Sequence, residues 1–131
     1  MVEGAWIRYE RKPSAWSSDR GARTLAVQYV EELRPCYEWE GYPDCPEHEA
    51  QFAADYLASH PIGPFNEFLP LLAAHRWLCA AEGYVYLQNA IDEHRTREAY
   101  AVMLTRARRS SDPLVRVAAE ALASRNTCQP G

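Results

Sequence analysis

Apolar residues recur at helical spacing along most of this chain, and the recurrence predicts five helices. Ala22, Leu25, Ala26, Tyr29, Val30 and Leu33 form an i, i+3, i+4, i+7 stripe. Ser17, Ser18 or Asp19 offers that helix an N-cap, and Pro35 stops it. A second stripe, Phe52, Ala53, Tyr56 and Leu57, follows Pro46. Glu47 and Glu49 sit beside the positive end of its dipole. The run His60-Pro61-Ile62-Gly63-Pro64 ends it.

The longest apolar run lies between Pro70 and Gln88. Wound as a helix, one face carries Leu71, Leu72, His75, Leu78, Cys79, Glu82 and Tyr86. The opposite face carries Ala73, Ala74, Trp77, Ala81 and Tyr84. A helix apolar all round is buried on most sides, so the others are expected to pack about it. Pro70 belongs in its first turn, with a short turn from Phe65 to Leu69 before it. Gly83 is expected to mark a close helix crossing. His75, Arg76 and Glu82 interrupt the run well short of a membrane span.

Asn89 or Asp92 restarts the chain into a fourth helix that reaches about Arg109. Its inner positions are Ala99, Val102, Met103, Arg106 and Ala107. Asp112-Pro113 opens the fifth, with a stripe of Leu114, Val117, Ala118, Ala121 and Leu122. The expected fold is all-α, one domain of about five helices around the central one. Residues 1–16 are read as an irregular arm and residues 124–131 as a frayed tail.

The run from Asp112 to Leu122, D-P-L-V-R-V-A-A-E-A-L, resembles HEAT-repeat helices. It covers about a dozen residues, and a solenoid needs at least about three repeats. No convincing second copy exists. An ordinary amphipathic helix opened by Asp-Pro is the better reading of this run.

Charge changes the picture more than composition does. The chain carries a net −4, which argues against general nucleic-acid binding. The charge is segregated. Residues 31–55 hold eight acids against one base, Arg34, a net −7. Residues 94–125 hold seven arginines against three acids, a net +4. The acidic segment interleaves aromatics: Tyr37, Glu38, Trp39, Glu40, Tyr42 and Asp44, followed by Glu47. Such a loop suits a partner's basic cleft, because aromatics anchor interfaces and acids steer association. The bland reading is a solvated acidic face. The Arg-rich helix offers a nucleic-acid surface, an internal match for the acids or a homodimer contact.

Four cysteines, Cys36, Cys45, Cys79 and Cys128, are read as too few and too scattered for a secreted disulfide scaffold. Cys79 is then a small core residue. Met1-Val2-Glu3-Gly4 lacks the marks of a signal peptide, so a cytoplasmic setting is expected. Two chemical alternatives remain. Cys45, His48, His75 and Cys79 have the residue types of a tetrahedral metal site. His75, Cys79 and Glu82 place a base, a thiol and a carboxylate on one helical face. No phosphate-binding glycine loop and no hydrolase or metalloprotease motif occurs. The expected function is a non-enzymatic binding module without a cofactor, an inhibitor or immunity-type protein whose acidic-aromatic loop blocks a basic partner.

Overall fold

The computed structural model describes residues 20–32, 36, 39–63 and 65–129. The expected arm and the N-cap at residues 17–19 lie outside the described residues. Five helices follow in order: α1 (Arg20–Glu32), α2 (Asp44–Ser59), α3 (Leu69–Tyr86), α4 (Ala90–Arg108) and α5 (Pro113–Arg125). No strand occurs among the described residues. No helix of theirs is long and apolar enough to cross a membrane.

Helix α3 is the centre, as its apolar circumference requires. It packs chiefly on α4 and α2, and α5 closes against α4 and α1. From Pro70 to Ala81 only Leu72 is not fully buried. Pro70 stands in the first turn, where its missing N–H has no intrahelical acceptor to lose. Small residues line the α2–α3 seam: Ala50 and Ala53 of α2 share a cluster with Ala73, Ala74, Trp77 and Leu78 of α3. Tyr100 and Leu122 complete that cluster from α4 and α5. A second cluster joins Val30, Leu71, Ala107, Val115, Ala118 and Ala119.

The caps explain the helix starts. Asn89 accepts from Asp92 N and opens α4, and Asp112 accepts from Leu114 N and opens α5. Asp112 also pairs with Arg23 at 2.9 Å, tying α5 to α1. Asn126 ends α5 in the left-handed region at φ 52°.

Several inner positions differ from the stripes. Phe52, Val102 and Val117 are 74%, 65% and 69% exposed, and Ala50, Thr96, Tyr100, Val115 and Ala119 are buried instead. Spacing alone fixes a helix but leaves its rotation open by a residue or so. Ala50 and Ala53 of α2 turn inward onto Ala73, Ala74, Trp77 and Leu78 of α3, and Phe52 turns out.

The C-terminal segment is not a frayed tail. Helix α5 runs to Arg125, and Cys128 is buried and bonded to Cys79. Both cysteine pairs are disulfides, Cys36–Cys45 and Cys79–Cys128. Scattered cysteines were therefore a poor guide. Cys36 and Cys45, nine residues apart, close one loop, whereas Cys79 and Cys128, 49 apart, meet because α4 and α5 return the chain to α3.

Candidate functional site

The candidate site occupies the C-terminal half of α3 and what lies over it. The Cys36–Cys45 disulfide closes the acidic-aromatic loop on itself. Tyr37 and Glu38 fall outside the described residues. Trp39 is half-buried and its Nε1 donates to the Tyr42 carbonyl at 2.6 Å. Gly41 adopts φ 97°, a conformation that favours glycine. Tyr42 is 51% exposed and meets Tyr86, 71% exposed, edge to face at 6.3 Å. Glu40 and Asp44, two residues to either side of Tyr42 in the chain, are exposed, and Glu40 lines a recess with Tyr86.

Gly83 explains how the loop reaches α3. A Cβ at this position would lie 2.8 Å from Pro43 N and 2.9 Å from the Gly41 carbonyl. The close approach is loop backbone on helix, where the sequence suggested a helix crossing. Gly83→Ala should therefore lower stability. Overpacking of this kind costs about 1–3 kcal/mol, which outweighs the roughly 1 kcal/mol gained in helix propensity when the loop backbone cannot move. Hydrogen exchange at residues 39–44 should speed up in the same variant. A higher melting temperature with unchanged exchange would refute the tight fit.

Glu47 belongs to the internal structure. It accepts from the Tyr84 hydroxyl and pairs with Arg95 at 3.0 Å. Burial, and then the bond to Glu47, pushes the Tyr84 hydroxyl up to about 12, so it stays a donor. Glu49 likewise pairs with buried Arg76 at 2.6 Å. Part of the acidic segment is thus matched inside the molecule, and among the described residues of the loop Glu40 and Asp44 remain exposed. Arg95, Arg97 and Arg108 also pair with acids, and this reduces the basic face of α4.

Beneath the loop lies a buried polar cluster. His75 Nε2 lies 2.7 Å from the Cys128 carbonyl, and its Nδ1 lies 2.7 Å from Arg76 Nη1. A carbonyl only accepts and a guanidinium only donates, so the imidazole is neutral with its proton on Nε2. Burial, and then the charges of Arg76 and Arg125, pull its pKa down to about 4. Glu82 accepts from the Cys128 N–H at 3.0 Å. Cys79 Sγ lies 3.7 Å from both ring nitrogens.

His75, Cys79 and Glu82 are therefore brought together, and Cys128 joins them. The thiol needed for nucleophilic chemistry is taken up in the Cys79–Cys128 bond, and both sulfurs are buried. The four-residue metal arrangement is not assembled. Cys45 is bonded to Cys36, His48 is exposed, and the ligand-type cluster is His75 with Cys79 and Cys128. Sequence reasoning missed Cys128, Arg76 and the pairing of Tyr86 with Tyr42. An even number of cysteines was the available signal for the disulfides. A charged residue inside an apolar run was the signal for Arg76.

Comparison with known protein families, curated proteins and solved structures gave no match.

Proposed function

We propose that this protein is a non-enzymatic binding module whose disulfide-closed loop and the end of α3 form one protein-binding face. The observation that carries this reading is the exposed Tyr42–Tyr86 pair, with Glu40 lining the same recess as Tyr86 and exposed Asp44 two residues from Tyr42 in the chain. Aromatic side chains at an interface supply anchors with few rotamers to freeze. The acids around them favour a partner with a basic cleft and speed its approach. The Cys36–Cys45 closure and the Trp39 bond to Tyr42 hold the loop in advance of binding, which lowers the ordering cost. An inhibitor or immunity-type role, in which this face covers a basic active site, fits these features.

The cytoplasmic setting expected from the sequence rested on the missing signal-peptide marks at Met1-Val2-Glu3-Gly4. Two disulfides favour work in an oxidising compartment.

The test is affinity capture from the native host with the wild type and with Tyr42→Ala/Tyr86→Ala. A basic partner should be held by the wild type and released by the double variant at unchanged melting temperature. Glu40→Lys/Asp44→Lys should slow association and weaken its dependence on salt. A partner held equally by all three proteins would overturn the proposal.

A further inference from the structure

Three ligand-type side chains converge beneath the loop. His75, Cys79 and Cys128 offer a ring nitrogen and two sulfurs that lie within 4.8 Å of one another, and all three residues are buried. Two thiolates and an imidazole are a donor set that suits zinc and ions of similar softness. The distances agree with that chemistry. In a tetrahedral zinc centre, a sulfur at about 2.3 Å and a nitrogen at about 2.0 Å from the ion stand about 3.5 Å apart. Cys79 Sγ lies 3.7 Å from each nitrogen of the His75 ring. The helix sets this spacing, because the two residues are neighbours one turn apart on α3.

We propose that His75, Cys79 and Cys128 bind one zinc-type divalent ion when the Cys79–Cys128 bridge is reduced, so that metal and disulfide are alternative ties between the C-terminal segment and α3. A dithiol reductant supplies two electrons and two protons, turns the bridge into two thiols and leaves as its own disulfide. Metal binding then releases both thiol protons to water. The sulfurs part to about 3.8 Å, the edge of a tetrahedron of zinc-bound sulfurs. Cys128 lies beyond the end of α5 at Arg125, so no helix has to move with it. His75 is already oriented for the task. Its Nε2–H donates to the Cys128 carbonyl at 2.7 Å, the outer contact that metal-bound imidazoles make. The lone pair is on Nδ1, where the ion takes the place of the Arg76 N–H. Arg76 stays held through Nε by Glu49, and its displaced N–H gains a thiolate as acceptor. Two thiolates and a divalent ion sum to zero, so the centre buries no net charge. Arg76 and Arg125 both act on His75, and the same positive surroundings favour thiolates beside it. The ion also has a way in. Cys128 lines the recess that Glu40 and Glu82 border, two acids that attract an arriving cation. Water takes the fourth position, as in other zinc sites with three protein ligands.

The experiment uses the full chain, the metal alone as probe, and a phosphine reductant, which leaves as its oxide and adds no competing thiol. Cobalt(II) reports the ligands, through a thiolate charge-transfer band and the strong visible bands of tetrahedral geometry. The reduced wild type should take up one cobalt per chain with both signatures, and zinc should displace it. Cys36→Ala/Cys45→Ala should behave in the same way. The oxidised wild type and the reduced Cys79→Ala/Cys128→Ala variant should take up none. His75→Gln should bind at least about ten-fold more weakly, the least effect expected at a metal site. Thiol alkylation followed by peptide mass locates the site without any variant. Zinc should shield Cys79 and Cys128 of the reduced wild type and leave Cys36 and Cys45 reactive. The proposal fails if the reduced wild type takes up no metal, if shielding falls only on Cys36 and Cys45, or if Cys79→Ala/Cys128→Ala binds as well as the wild type.

Discussion

Replacing Cys79 and Cys128 together with alanine should destabilise the protein by about 4 kcal/mol, the loop-closure value for a bridge of this span. The bridge joins residues 49 apart and fastens the C-terminus to the central helix. In the chain-entropy account it removes far more freedom from the unfolded chain than a short loop does. For a chain of 131 residues this amounts to a fall of about 15 °C in melting temperature. The short bridge, Cys36–Cys45, spans nine residues, and its removal should cost only about 2.5 kcal/mol. The order of the two losses is the informative part. Removing the long bridge also loosens the hydrogen bonds that His75 and Glu82 make to Cys128. Intact mass before and after thiol alkylation checks that both bridges are present at the start. Urea melts of the two double variants then rank them. If the oxidised wild type and the Cys79→Ala/Cys128→Ala variant melt within about 2 °C of each other, the bridge does not hold the C-terminus to the central helix.

Acid should weaken the fold through His75 well before most carboxylates are protonated. In the folded state its pKa is about 4, against 6.5 for the free side chain. The unfolded chain therefore takes up a proton between those values that the folded chain refuses. The stability tied to His75 is complete above about pH 6.5 and is lost as the pH falls to about 4. The full loss amounts to about 3 kcal/mol, at 1.36 kcal/mol per unit. The cause is local. A second proton on the ring would turn Nδ1 into a donor facing the Arg76 donor, and would place a cation between Arg76 and Arg125. Glu67 acts in the same direction at lower pH. Burial alone would raise its carboxyl, but bonds from Ser110 and Ser111 hold it below the ordinary value. The other three histidines, His48, His60 and His94, are exposed. His75→Gln keeps a donor and an acceptor without a titrating group. Its unfolding free energy should be nearly flat from pH 6.5 to 4.5 where the wild type slopes. Parallel curves for the two proteins would exclude His75 as the acid-sensitive group.

The disulfide prediction bears on the proposed binding face. The loop rests on α3 at Gly83, and the C-terminal segment anchored by Cys128 borders the same recess as Trp39 and Tyr86. Reduction should release the recess on two sides. The exposed Tyr42–Tyr86 pair would then lose the support on which the proposed binding face depends.

The sequence by itself determined the helices and the centre. Apolar spacing of 3.6 residues and the Asp-Pro and Asn starts are local signals, and local signals survive without neighbours. The apolar circumference of α3 was likewise sufficient, since a helix with no wet face has nowhere to lie but inside. Only the tertiary structure decided the rotation of α2, α4 and α5, which put Phe52, Val102 and Val117 outside. It also decided which acids were matched internally, because Glu47 and Glu49 find Arg95 and Arg76 across helix seams. The disulfides belong to the same class. Cys79 and Cys128 carry no mark of their pairing in sequence, and meet only because α4 and α5 return the chain to α3. The state of His75 follows from that meeting, since its pKa is set by burial, by Arg76 beside it and by a carbonyl that lies 53 residues away in the chain.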